Sequence, residues 1–542
     1  MKLAATAAAA FANSAERWAE RPFMAVLPET AAAYGVAAGE LTYGAAQQRI
    51  DALREAYARA GYGAGHRVGL LLDNRPAFLL HGLALNGLGV SVVPISSELR
   101  MAELEYLVGH SEIALAVALP QRHADLRAAA KAAGRPLALM ADDGAPPAAP
   151  FEPPQVDVAI DEQTECALLY TSGTTGRPKG CRLPNRYFLH AGRWYAGLGG
   201  MVALRPGVER LLTPLPLVHM NALAYSTMAM VATGGCLIVL DRFHPATWWA
   251  SVREARATVV HYLGVMPSML MKAPPRPDDA SHAVRFGFGA GVDKALHAPF
   301  EARFGSPLLE AWAMTETGAG AVVMAHDEPR QVGTSCFGRE GGDVQVRLVA
   351  DDGGEPAPGE PGELWVRHAG ADPRYGFFAG YLKDDAATAE AWAQGWFHTG
   401  DIVRRDALGL LHFIDRRKNV IRRSGENISA VEVESVLNQM PEVKASAVAA
   451  TPDELRGDEV LACIVTHEAV PPDERAALAQ RIVQHALARL AYYKVPGYVA
   501  FVNALPLTTS QKIQRSELST MARSLPGRPR CVDTRSMKKR QA

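Results

Sequence analysis

Several features that would set a chain apart from ordinary globular proteins are scarce or missing here. An excess of one charge is missing: 56 Lys and Arg stand against 57 Asp and Glu, a formal net charge of −1 with His neutral, so the composition gives no sign of a nucleic-acid binder. Cysteine is sparse. Its six copies, Cys166, Cys181, Cys236, Cys336, Cys463 and Cys531, lie far apart with no C-x-x-C pair, which excludes a readable zinc site or disulfide framework and points to a reducing cytoplasm. Long uninterrupted apolar runs are also lacking. The most apolar stretch, Ala77 to Ile95, is broken by His81, Asn86, three glycines and Pro94, so it reads as a buried helix followed by a strand, and no membrane span is expected. The alanine-rich start to Ala12 merges into the helical pattern of residues 14–19 and reads as a helix more readily than as a signal peptide.

What is present is a chain of 542 residues with 48% apolar and 21% charged residues, enough for several packed subdomains. Short apolar runs at Arg67–Leu72, Ile113–Leu119, Pro136–Met140, Cys166–Thr171, Leu237–Leu240 and Thr258–Leu263 alternate with helical patterns such as Tyr43–Ala60 and Thr247–Ala257. That alternation predicts an α/β fold. Residues 141–154, rich in Pro and acid, read as an exposed loop, and Gln345–Val366 reads as a small β subdomain. After Arg416 the pattern changes to strands at 445–450, 460–465 and 498–502 around a helix at 473–490, which predicts a separate α+β domain. The expected layout is a large N-terminal domain over 1–415, a small mobile C-terminal domain over 416–520 and a frayed basic tail over 521–542.

The run Cys166–Thr171 leads into Ser172-Gly-Thr-Thr-Gly-Arg-Pro-Lys-Gly180. Gly173, Gly176 and Gly180 let the backbone bend so that successive N–H groups point inward, the hydroxyls of Thr171, Ser172, Thr174 and Thr175 add donors, and Lys179 adds a positive charge. These are the parts of a polyphosphate cradle, although the spacing is not that of the usual P-loop. At this loop the sequence resembles the adenylate-forming enzymes, which include acyl-CoA synthetases, peptide-synthetase adenylation domains and firefly luciferase. Further matching segments follow in the family's order: Thr213–Asn221, Ala311–Gly318, Gly395–Asp401, Asp415–Ile421, Gly425–Ser429 and Leu505–Lys512. The segment from Asp415 to Glu434 is similar to that of crotonobetaine/carnitine-CoA ligase and its relatives.

The resemblance implies an ATP-dependent acyl-CoA ligase that joins a small carboxylic acid to AMP and then passes the acyl group to coenzyme A. It also implies roles for single residues. Lys512 bridges the two anions that meet during adenylation, where positive charge is needed. Glu316 holds Mg²⁺, a metal that prefers hard oxygen ligands, and Thr171 shares it. Gly289, Ala290, Met314 and Thr315 line the nucleotide, Trp312 stacks on adenine where the family usually has Tyr, and Asp401 takes the ribose hydroxyls with help from Arg416. Lys418 is the hinge, Gly425 lines the pantetheine tunnel, Arg422 and Arg423 face the CoA phosphates, and His219 gates the acyl pocket. Ala313 stands where Gly is usual and predicts a tighter pocket for a short or medium chain acid. Gln511 replaces the Gly before Lys512. Glu310 reads as a structural carboxylate more readily than as a partner for a cationic substrate. A homodimer is left open, as are two alternatives: an acyl-AMP ligase that loads a carrier protein, and a non-catalytic nucleotide-binding protein.

Overall fold

The structure is a computed structural model that describes residues 4–171, 178–350, 352–416, 421–428, 430–506, 513 and 515–538. The chain divides into a large compact unit of residues 1–97, 108–169 and 180–414, and a small one of residues 98–107, 170–179 and 415–542.

The large unit contains an eight-stranded sheet in the order Val323–Met324, Leu308–Trp312, Phe286–Gly289, Val259–His261, Arg210–Thr213, Cys236–Val239, Pro22–Val26 and Gly39–Thr42. Its six interior strands pair parallel and its two edge strands pair antiparallel. Interior strands covered on both faces should be apolar throughout, and Cys236–Val239 and Phe286–Gly289 are buried at every position. The crossover helices follow local rules. Lys294–Phe304 is capped by the Asp293 carboxylate at its start and ended by Gly305 at φ 68°. It packs Phe300 and Phe304 against Trp248, Leu270 and Leu308 in one core.

A second, seven-stranded sheet runs Gly380–Tyr381, Lys179–Pro184, Glu165–Thr171, Ser91–Pro94, Arg67–Leu71, Leu115–Ala118 and Ala138–Met140. The strands expected from the sequence lie within a few residues of those observed. Ala77–Ile95 forms the helix Pro76–Asn86 and the strand Ser91–Pro94. The β subdomain is present as well: Val344–Val349, Pro361–His368 and Trp396–Arg405 pair antiparallel in that order. No helix among the described residues is long and apolar enough to cross a membrane.

The small unit centres on the antiparallel pair Val443–Asp453 and Gly457–Thr466, with Tyr498–Phe501 added in parallel. The helix Arg475–Leu487 packs Leu478, Ile482 and Val483 into its core. The expected frayed tail beyond Met521 is corrected by the structure. The helix Arg515–Ser524 buries Leu518 and Ala522, with Leu525 just beyond it, in a second core, and Cys531–Asp533 pairs antiparallel with Tyr498–Phe501 as an edge strand. Lys538 is buried, and its ammonium donates to Glu459 Oε1 at 2.6 Å and to Val495 O. The apolar groups that dock this tail are too few and too irregularly spaced to form a periodic signal.

Candidate active site

In sheets of parallel strands joined by crossovers, ligands bind beyond the carboxyl ends of the strands. In the large unit those ends include Thr213, His261, Gly289 and Trp312, and three motifs leave the sheet there. The segment after Thr213 carries His219, which is exposed. Gly289 ends the third strand and Ala290 follows it, and the segment Trp312–Glu316 starts at the end of the fourth. Packing requires glycine at 289, because an added Cβ would overlap the Tyr262 carbonyl oxygen. The next turn is held by Glu310, 6% exposed, which accepts from the N–H groups of Gly291 at 3.1 Å and Val292 at 2.8 Å. Burial pushes its pKa up. Its carboxylate is structural, bracing the turn beside the candidate nucleotide residues.

Asp401 enters this region through a bulge. Glu363 pairs with Ile402 and Trp365 with His398, so Leu364 alone opposes Thr399-Gly400-Asp401. Gly400 takes φ 70°, in the left-handed region that favours glycine. Thr399 Oγ1 donates to Leu364 O at 2.6 Å and accepts from the Asp401 N–H at 3.0 Å. The bulge turns the Asp401 side chain inward to 1% exposure, where the Trp312 indole N–H donates to Oδ2 at 2.8 Å. Thr-Gly-Asp is therefore a local device for aiming one carboxylate. The sequence assigned Trp312 only a ring, whereas the structure also uses its N–H.

Glu316 is 7% exposed. The Tyr381 hydroxyl donates to its Oε1 at 3.0 Å, and Oε2 has no hydrogen-bond partner among the described residues. Burial, reinforced by the Glu316 charge, pushes the Tyr381 pKa far up, so the phenol remains a donor. Tyr381 pairs with Cys181 on Lys179–Pro184, the strand that leaves the glycine-rich loop. A carboxylate with one braced oxygen and one open oxygen fits Mg²⁺, which commonly takes one or two protein carboxylates and otherwise phosphates and waters. The neighbouring backbone is braced too: Met314 N–H donates to Thr317 Oγ1 at 3.1 Å, and Thr315 O accepts from the Tyr187 hydroxyl at 3.0 Å. The sequence reading missed Tyr381 and Tyr187, because neither sits in a quoted motif.

Residues 11–382 match the AMP-binding enzyme family, and residues 432–512 match the AMP-binding enzyme C-terminal domain. The chain belongs to the AMP-binding enzyme family. It is 33% identical over 531 residues to sulfoacetate–CoA ligase of Cupriavidus necator, covering 95% of this chain and 97% of that protein. It is 29% identical over 492 residues to crotonobetaine/carnitine–CoA ligase of Shigella flexneri, covering 87% and 91%. A malonyl-CoA ligase solved as a ternary product complex with methylmalonyl-CoA and AMP bound is similar with a TM-score of 0.72 at 26% identity, over 90% of this chain and 97% of that one. This AMP-binding enzyme is an acyl-CoA ligase, a class that uses ATP and CoA.

In the ligase's small unit, Ser424 at φ 51° and Gly425 at φ 87° form the two-residue turn between Ile421–Arg423 and Glu426–Ile428. Two successive positive φ values are the signature of a type I′ hairpin, so the turn by itself favours glycine. Arg422 is exposed, and its N–H donates to Asp458 Oδ2 at 3.0 Å. Arg423 is 5% exposed, and its Nε donates to both Glu459 oxygens at 3.0 and 2.9 Å. Thr171 ends its strand half-buried, and Lys179 begins the next. Ser172, Gly173, Thr174, Thr175, Gly176, Lys418 and Lys512 lie outside the described residues, as does the side chain of Arg416.

Proposed function

We propose that this ligase activates a short or medium chain carboxylic acid, with Asp401 taking the ribose hydroxyls, Glu316 holding Mg²⁺ and Lys512 bridging the acid carboxylate and the α-phosphate. The observation that carries this reading is the buried Glu316 carboxylate, oriented by the neutral Tyr381 hydroxyl beside the motif segment 312–316, with the buried Asp401 carboxylate accepting from the Trp312 indole N–H of the same segment. A neutral N–H or O–H fixes a carboxylate's direction without cancelling its charge, which suits recognition of hydroxyls and of a cation. When bound, Mg²⁺ would neutralise phosphate charge. Glu316 would bind it, with Thr171 as a further oxygen donor, and Tyr381 would hold Glu316 in place. Lys512 supplies charge only where two anions approach, so it serves adenylation and not thiol transfer. Gly425 and the exposed Arg422 are assigned to the CoA side. The separate cysteines support a cytoplasmic setting.

The test is a panel of carboxylic acids with ATP, Mg²⁺ and CoA, following AMP and thioester together. AMP and thioester in equal amounts are expected; AMP with thioester formed only on a phosphopantetheinylated carrier protein would favour the carrier-loading alternative. Lys512→Ala should abolish adenylation while leaving thioester formation from supplied acyl-AMP largely intact. Equal loss of both half-reactions would overturn its assignment.

A further inference from the structure

Next to the candidate nucleotide strands, Leu308–Trp312 and Phe286–Gly289, the following strands of the sheet are Val259–His261 and Arg210–Thr213. A polar network occupies their carboxyl ends. His261 is fully buried, and its Nδ1 lies 2.9 Å from Asn221 Oδ1 and 2.8 Å from Ser226 Oγ, while its Nε2 lies 3.0 Å from the Tyr195 hydroxyl. Burial lowers its pKa to about 3, so the ring is neutral. A neutral imidazole donates from one nitrogen only, and Asn221 Oδ1 only accepts. Nδ1 therefore carries the proton and Nε2 accepts from Tyr195. The Ser226 hydroxyl also donates to Asn221 Oδ1, at 2.8 Å. With its oxygen held twice, the half-buried Asn221 turns its Nδ2 away from this network, and Nδ2 has no hydrogen-bond partner among the described residues.

A second observation comes from Tyr225. It is 2% exposed, yet its hydroxyl has no partner among the described residues. Buried polar groups are nearly always paired, so an orphan of this kind marks a position that a bound group completes. Its ring packs on Phe288 with centroids 6.0 Å apart, the same ring that His261 meets at 4.7 Å, and its hydroxyl is an electrostatic neighbour of Tyr187. Tyr187 in turn contacts Met220 Sδ at 3.8 Å and Thr315 O at 3.0 Å. Tyr225 thus belongs to the same strand-end region as Asn221 and the 312–316 motif.

We propose that the Tyr225 hydroxyl and the Asn221 amide N–H are specificity-determining donors for an oxygen on the acyl part of the substrate, so the preferred acid carries a hydroxyl, sulfonate or second carboxyl group in place of a plain hydrocarbon chain. This rests on the ligase reading, because the acid must lie beside the nucleotide along the same strand ends. His261, Ser226 and Tyr195 act as positioning residues that set the direction of the Asn221 amide.

The experiment compares sulfoacetate and 3-hydroxypropanoate with propanoate and butanoate in wild type, Tyr225→Phe and Asn221→Ala, measuring kcat and KM for each acid and the thermal midpoint of each protein. Tyr225→Phe removes a hydroxyl that bonds to nothing among the described residues, so its midpoint should equal or exceed that of wild type. The expected result is that KM for the oxygen-bearing acids rises about tenfold or more in both variants, with the hydrocarbon acids nearly unchanged. Hydrocarbon acids used as well as the others by wild type, or equal losses on both classes in Tyr225→Phe, would overturn this inference alone. Turnover of no acid at all by wild type would overturn the ligase reading and this inference with it.

Discussion

Asp401 in the large unit and Glu459 in the small one are both carboxylates at 1% exposure or less, yet their surroundings differ in kind. Asp401 sits in a glycine-assisted bulge and takes a neutral indole N–H. Glu459 takes two cations, Arg423 at 2.9 Å and Lys538 at 2.6 Å, so its charge is answered inside the protein. An indole N–H orients a carboxylate without adding charge, whereas a cation beside it compensates its charge. Burial alone therefore does not tell the two carboxylates apart, and Arg423 shows that a residue next to a motif can be paired within the small unit.

The largest expected effect breaks the structural side of this pairing. Glu459→Ala leaves the buried Arg423 guanidinium and the Lys538 amine without their carboxylate and should destabilise the small unit by about 3–5 kcal/mol, read from the denaturation midpoint. An unchanged midpoint would show that the cluster is not structural. Gly425 sharpens the contrast within the small unit, because its turn and its assigned tunnel both call for glycine. Gly425→Asn, which tolerates positive φ, should keep the midpoint near wild type while slowing thioester formation about tenfold or more. A normal thioester rate at a normal midpoint would leave the turn as the sole reason for glycine. Trp312→Phe keeps a ring but removes the N–H from Asp401, and KM for ATP should rise about tenfold. No change would separate Asp401 from nucleotide binding.

A further prediction concerns pH. Burial, assisted by the Arg423 charge, lowers the Lys538 pKa from 10.5 to about 7. Between those values the unfolded chain binds more protons than the folded one, so this lysine makes stability rise with pH from about 7 to 10.5 and has no further effect outside that window. Wild type should therefore gain stability relative to Lys538→Met between pH 7 and pH 9, as measured by urea midpoints. A constant difference would place the Lys538 pKa outside this range.

Most of the fold was legible because its signals are local. Alternating apolar runs and helical periods placed the strands of both large sheets to within a few residues, and the change of pattern after Arg416 marked the second unit. The motifs likewise singled out Asp401, Glu316 and the segment around Trp312 as candidates, since glycine, hydroxyl and carboxylate spacings are written in consecutive residues. The docked tail was illegible: Leu518, Ala522 and Leu525 make too short an apolar series, and Lys538 finds Glu459 across 79 positions of chain.

By itself, then, the sequence determined the α/β architecture and the family, because those depend on short-range patterns of residue type. Only the tertiary structure decided which polar atoms were already taken. Whether Trp312 gives its N–H to Asp401 or Tyr381 its hydroxyl to Glu316 depends on partners 89 and 65 residues away, and the Tyr225 hydroxyl meets no partner among the described residues. Hydrogen bonding and charge compensation are settled by contact in space, and residue type alone does not encode the contact.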